Sequence, residues 1–238
     1  MLENIHIENL IFLDIETVPQ LPSFDDLAEE NKKLWEKKSA FFRSEEQTPS
    51  DVYQRAGIYA EFGKIICISV GLVYQEEGQK KIRLKSFASK DELRLLTEFS
   101  LLLKSLSAKK NYFLCAHNGK EFDFPYIARR MLINGLELPQ ILDTAGKKPW
   151  EVSHVDTMEL WKFGDYKNYT SLELLAFIFG IPSPKNDIDG SMVAKVFYED
   201  DDLPRIAKYC ERDVVTIVQL MLKFRQSAVI PEENISIA

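Results

Sequence analysis

Apolar residues recur along this chain with two periods, and the change from one to the other marks out strands and helices. Residues 5–14 read as a first strand, an apolar run that continues into Leu13-Asp14-Ile15-Glu16-Thr17. Residues 64–75, rich in β-branched side chains, predict a second strand, and residues 80–88 a third after the polar turn at Gly78, giving a meander. Leu93, Leu95, Leu96, Phe99, Leu102, Leu103 and Leu106 then fall at helical spacing behind Ser89-Lys90-Asp91-Glu92. Ser89 and Glu92 fit a capping box there, so a helix is expected over 90–107. Residues 111–116 return to strand and 123–135 to helix, while 153–161 read either way. Ser171 to Phe179 predicts a short helix ended by Gly180 and Pro182, and residues 203–226 a long one opened by Pro204. Strands first, then alternating helix and strand, imply an α/β fold with a mixed sheet flanked by helices. Residues 20–60 are too long and polar for an ordinary connection, and read as a peripheral helical pair inserted after the first strand in preference to a catalytic lid.

Composition narrows the classes. At 238 residues and 45% hydrophobic content the chain has material for a sizeable core, and is read as a single domain, 1–238. No stretch approaches the roughly 18 apolar residues of a membrane span, and Met1 to His6 lacks a basic region followed by an apolar one, so a cytosolic, cytoplasmic protein is expected. Cys67, Cys115 and Cys210 sit in apolar segments without close pairing, which favours small buried hydrophobes over a disulfide framework or a zinc site. A net charge of −7 argues against a protein that grips long duplexes by phosphate neutralisation, but leaves room for short substrates held at one end.

The candidate chemistry lies in acidic residues. Asp14 and Glu16 are two apart in a strand, so their carboxylates share one face. Two carboxylates aimed into a protein interior repel each other and lose hydration, and divalent cations are the simplest compensation. Asp123 follows Asn118-Gly119-Lys120-Glu121-Phe122 at the start of a helical pattern, where it also fits a plain helix cap with Pro125 in the first turn. Asp213 lies four residues after Tyr209, so both share a helical face. A salt bridge from Asp213 to Arg212 or Lys208 is the competing reading, against which Val214, Val215 and Ile217 argue for burial. A metal ligand beside a phenol suits phosphodiester hydrolysis, with the phenol orienting the attacking water or accepting its proton.

At these residues the sequence resembles the DEDD superfamily of 3′–5′ exonucleases in its tyrosine branch, and within it the proofreading exonuclease domain of family B DNA polymerases. Leu13-Asp14-Ile15-Glu16-Thr17 matches the first motif, Asn118 to Ile127 the second, and Tyr209-Cys210-Glu211-Arg212-Asp213 the third, in the family's order. The histidine branch would place His five residues before the last Asp, where Lys208 stands. The resemblance implies an RNase H-like fold in which Asp14, Glu16, Asp123 and Asp213 bind two ions, Mg2+ or Mn2+, and Tyr209 assists the water. It further implies that Thr17 touches the terminal nucleotide and that Asn118 and Phe124 position substrate.

The remaining polar residues fit plainer roles. His117 suits a backbone hydrogen bond better than a catalytic base. His154 and Asp156 either line the cleft or end a strand, with Asp156 a candidate for supporting the site or touching sugar. Lys147, Lys148, Lys162, Lys167 and Lys185 read as a solvated face from which one or two contact phosphate. The expected activity is a stand-alone metal-dependent 3′–5′ exonuclease on single-stranded nucleic acid ends, with DNA favoured as partner. An RNase acting on short RNA and an inactive nucleic-acid-binding adaptor are the alternatives.

Overall fold

The computed structural model describes residues 2–165, 169–182 and 188–238. Strand β1 (Leu10–Pro19) pairs antiparallel with β2 (Gly63–Glu76), and β2 with β3 (Gln79–Ala88). Glu77 and Gly78 link β2 to β3 with φ of 51° and 77°. Two positive φ values in a two-residue hairpin match strand twist, and glycine adopts one of them without a Cβ penalty. Strand β4 (Phe113–Ala116) joins parallel to β1, β5 (Val155–Asp156) parallel to β4, and β6 (Ile235–Ile237) parallel to β3. The order is β5-β4-β1-β2-β3-β6.

Strand alternation assigns the two faces. Ile11, Leu13 and Ile15 of β1 bury against Leu95, Leu96, Phe99 and Leu103 of α2 (Glu92–Ser107) and Ile127 and Met131 of α3 (Asp123–Ile133). Leu10 and Phe12 face the other way, onto Val214, Ile217, Val218 and Met221 of α7 (Leu203–Phe224). α1 is Glu29–Ser39, α4 Thr157–Lys162, α5 Leu172–Ile178 and α6 Val193–Tyr198. α6 extends this layer through Val196 and Phe197 over Val18, Ile66 and Cys67, and α5 packs Leu175 and Ala176 on Leu220 of α7. Among the described residues no helix is long and apolar enough to cross a membrane.

Several expectations shift. The first strand begins at Leu10, not residue 5, because Ile7–Asn9 forms a 3₁₀ turn whose Ile7 is buried without pairing. The strand runs on to Pro19 where an end at residue 14 is expected, so Asp14 and Glu16 lie inside it. The cap of α2 is Asp91, which accepts the Arg94 N–H at 3.1 Å, in place of a Ser89–Glu92 box. Glu92 is instead drawn inward, accepting from Arg130 Nε at 2.9 Å and from the Ile65 N–H at 2.7 Å. Between β1 and β2 stand one α-helix, α1, and a 3₁₀ segment, Tyr53–Ile58, where a helical pair was expected. Trp35 anchors this insertion among Phe42, Tyr53, Tyr59 and Phe62, and its Nε1–H donates to Pro49 O at 2.8 Å. Residues 153–161 resolve into β5 followed directly by α4. α6 and β6, six and three residues long, are too short to leave a periodic signature.

Candidate active site

β1 and β4 are paired only from Leu10 to Phe12, and β4 ends at Ala116 while β1 runs on to Pro19. The edge of β1 at Asp14 to Glu16 is thereby released at the carboxyl end of two parallel strands, the place where open α/β sheets hold ligands. Asp14 and Glu16 follow Leu10 and Phe12 along the face that meets α7. An Asp14 oxygen, a Glu16 oxygen and the Cys210 sulfur all lie within 4.8 Å of one another. Cys210 belongs to α7, and its Sγ donates to the Asp14 carbonyl at 3.3 Å, tying the helix to the strand. One turn on, Asp213 stands outside that 4.8 Å group, as does Asp123, but near enough that its charge acts on both Asp14 and Glu16. Asp123 arrives from the first position of α3 and takes a hydrogen bond from the freed backbone amide of Ile15. A break in register between Glu16 and Thr17 interrupts the β1–β2 ladder beside the cluster, and pairing resumes from Thr17 with Ile65.

Four carboxylates from three segments therefore converge, with Glu16 and Asp123 only 7% and 3% exposed. Burial, then Glu16, Asp213 and Asp123 in turn, pushes the Asp14 carboxyl well above the usual range. Burial, then Asp213, Cys67 and Asp123, does the same for Glu16. Burial raises Asp123 to about 7 despite its backbone hydrogen bonds, and Asp213 to about 6 despite the Tyr209 phenol and the Arg212 charge. No lysine or arginine is among the groups acting on Asp14 and Glu16. Among the described residues Asp14 and Glu16 lack a countercharge, while Asp213 feels Arg212. The Tyr209 phenol is hydrogen-bonded to Asp213, and burial followed by Asp213, Glu16 and Asp14 drives it far above the ordinary phenol range.

The loop before α3 is held from beneath. Asp156, 2% exposed, accepts the Asn118 N–H through Oδ1 and the Lys120 N–H through Oδ2, each at 3.0 Å. The same residue caps α4 by accepting from Met158 N at 2.9 Å and Glu159 N at 3.3 Å. Its carboxylate is thus a loop anchor, a role legible in Asp156-Thr157-Met158-Glu159 as a helix-start pattern but not as a link to residue 118. Gly119 is required where it stands, since a Cβ there would lie 2.4 Å from Ala116 Cβ and 2.9 Å from Phe124 Cζ. Both histidines of this region are structural. His117 bonds Thr157 Oγ1 at 2.9 Å and Thr170 O at 2.8 Å. His154 Nδ1 accepts from Leu114 N at 3.3 Å while Nε2 faces Ile141 O at 2.8 Å, and burial lowers its pKa to about 4.

Thr17 is half-buried at the register break. Asn118 adopts a left-handed φ of 63°, and its Oδ1 is buried without a hydrogen-bond partner among the described residues. Phe124 is 4% exposed, its ring edge-on to His154 at 5.1 Å, so it supports the loop from the core. Of the lysines, Lys162 lies over the Tyr169 ring at 5.2 Å, and Tyr169 donates to Glu121 next to the second motif. Lys147 and Lys148 are exposed, and Lys167 and Lys185 lie outside the described residues. The Cys210 thiol beside the carboxylates went unforeseen, because burial and proximity to a site look alike in an apolar segment.

The model of a family described as "Predicted 3'-5' exonuclease related to the exonuclease domain of PolB" matches residues 58–233. That stretch includes Asn118, Asp123, Tyr209 and Asp213, with Asp14 and Glu16 N-terminal to it. Among solved structures, the family B DNA polymerase from the hyperthermophilic archaeon Pyrobaculum calidifontis superposes on 91% of this chain with a TM-score of 0.56 and 14% identity. This chain spans 24% of that polymerase, and the likeness is one of fold, an RNase H-like sheet flanked by helices.

Proposed function

The chain belongs to the family of predicted 3′–5′ exonucleases related to the exonuclease domain of PolB, and from that premise we propose that it is a metal-dependent 3′–5′ exonuclease acting on single-stranded nucleic acid ends, DNA foremost. The observation that carries this reading is the meeting of Asp14, Glu16, Asp123 and Asp213 without a cationic partner for the first two.

Such a donor set fits hard divalent cations, which prefer carboxylate oxygen. Asp14, Glu16, Asp123 and Asp213 would hold two of them, Mg2+ or Mn2+. When bound, the ions supply Lewis acidity and a water of lowered pKa for in-line phosphodiester hydrolysis. The protein's own groups do the rest. Tyr209, surrounded by acids, keeps its proton, and with its one O–H given to Asp213 the phenol oxygen would orient the attacking water as an acceptor. Thr17, half-buried at the break in β1, would offer its backbone and hydroxyl to the terminal nucleotide. Asn118, on the loop that leads to Asp123, has a buried side-chain oxygen unpartnered among the described residues, and Phe124 acts through Gly119 by fixing that loop.

The test is digestion of 5′-labelled single-stranded DNA and RNA in parallel, with Mg2+, Mn2+ or chelator, beside a closed single-stranded circle. The reading expects a ladder that shortens from the 3′ end, requires metal and spares the circle. Cleavage of the circle, or shortening from the 5′ end, contradicts it.

A further inference from the structure

A negatively charged chain with four clustered acids poses a problem for a polyanionic substrate, because strand phosphates are repelled as they near the cleft. α7 carries a local answer. Arg205, Lys208 and Arg212 recur at helical spacing and, with Asp202 and Pro204, line a groove of about 390 Å³. Lys208 and Arg212 each precede a residue of the Tyr209–Asp213 pair, so their stripe lies about 100° around the helix from the catalytic one, toward solvent. Lys208 is exposed and Arg212 half-buried. Among the described residues neither head group has a hydrogen-bond or ion-pair partner, although the Arg212 charge reaches Asp213. Arg205 differs, since its Nη1 is 3.7 Å from Asp200. Asp202 is likewise committed, accepting the Arg205 N–H at 3.1 Å as the cap of α7.

We propose that Lys208 and Arg212 form a phosphate track that holds the nucleic acid strand on the 5′ side of the scissile bond. This inference rests on the exonuclease reading and adds the strand-binding surface to it. Their separation of about 6 Å along the helix axis is comparable to the step between successive phosphates of an extended strand. Arg212 supplies a planar fork suited to a phosphodiester, and Lys208 a mobile point charge. Neither reads a base, so the track serves any sequence. It also explains how an acidic protein engages nucleic acid without a broad basic face.

The experiment compares the intact chain with the Lys208→Ala/Arg212→Ala variant on two substrates. One is a 5′-labelled oligothymidylate, the other the p-nitrophenyl ester of thymidine 5′-monophosphate, which has no upstream phosphates. Binding of the oligonucleotide is measured separately in Ca2+ over a series of KCl concentrations. The variant is expected to raise KM for the oligonucleotide about tenfold, and to lose at least about ten times more kcat/KM on it than on the small ester. The slope of log affinity against log salt should fall by about 1.4, near 0.7 for each lost phosphate contact to a single strand. The charge-preserving Lys208→Arg/Arg212→Lys exchange should restore most of the affinity. Equal losses on both substrates would place these groups at the reacting centre, and an unchanged KM and salt slope would remove the track. If the intact chain hydrolyses neither substrate, the exonuclease reading fails on its own, and the binding series decides the track. A salt slope shared by both proteins, or no binding by either, overturns it.

Discussion

Asp156 accepts the backbone N–H of Asn118 at 3.0 Å, joining β5 to the loop that delivers Asp123. The two residues are 38 apart in sequence, and this contact, with its twin to Lys120, sets the height of the second motif over the sheet edge. Asp156→Ala leaves buried amides without acceptors, at a cost of about 2–4 kcal/mol. Thermal unfolding should show that loss, and hydrolysis by the folded fraction should fall as well. Full activity in a folded Asp156→Ala protein would mean the loop holds its place unaided.

Gly119→Ala tests the same loop from the other side. The added methyl meets Ala116 Cβ and the Phe124 ring, both in the core, so overpacking should cost about 1–3 kcal/mol. Because the loop must shift, activity should decline more than the melting temperature alone accounts for. Denaturant titration together with single-turnover hydrolysis checks both.

Asp14→Asn and Asp213→Asn should each lower hydrolysis by about a thousandfold or more, through loss of a cation ligand. In chelator the same variants should unfold at a higher temperature than the parent, because each removes like-charge repulsion from a buried cluster. Tyr209→Phe should be milder, about 10- to 100-fold in kcat, since only an orienting hydrogen bond is lost. Variants less stable than the parent in chelator would show that the carboxylates support the fold rather than strain it.

The pH dependence of stability should change sign with metal. Asp123 and Asp213 titrate at about 7 and about 6 in the folded chain, against an ordinary value of 3.8, so without metal the folded state binds more protons than the unfolded one below pH 7. Stability in chelator therefore rises as pH falls through that window. His154 opposes this, since its folded value of about 4 lies under the ordinary 6.5 and its contribution is lost as pH falls between them. Four carboxylates shifted one way outweigh two imidazoles, since burial lowers His117 as it does His154. With excess Mn2+ the order reverses, because protons compete for the ligands as pH falls. Melting temperatures at about pH 5.5 and 7.5, with and without Mn2+, give the comparison.

Much of this is legible in the sequence for identifiable reasons. β2, β3, α2 and α7 carry long periodic patterns, and Asp14, Glu16, Asp123, Tyr209 and Asp213 stand in apolar or helical settings where acids need an explanation. The start of β1 is not legible, because Ile7 is buried in a turn and burial alone does not distinguish a turn from a strand. Glu92 fits a capping box by spacing but is claimed by Arg130, 38 residues away, a contact no local pattern contains. The same holds for Asp156 under Asn118 and for Cys210 against Asp14, both of which arise only when distant segments meet.

The central claim is that four acids form a site for two divalent cations. Calorimetric titration of the metal-free chain with Mn2+ at about pH 7.5, repeated on Asp14→Asn, tests it most directly. The account predicts two ions bound by the parent, with affinity weakening as pH approaches the values of Asp123 and Asp213, about 7 and about 6, and fewer or weaker sites in the variant. No Mn2+ binding by the parent, or identical isotherms for the two proteins, would contradict it.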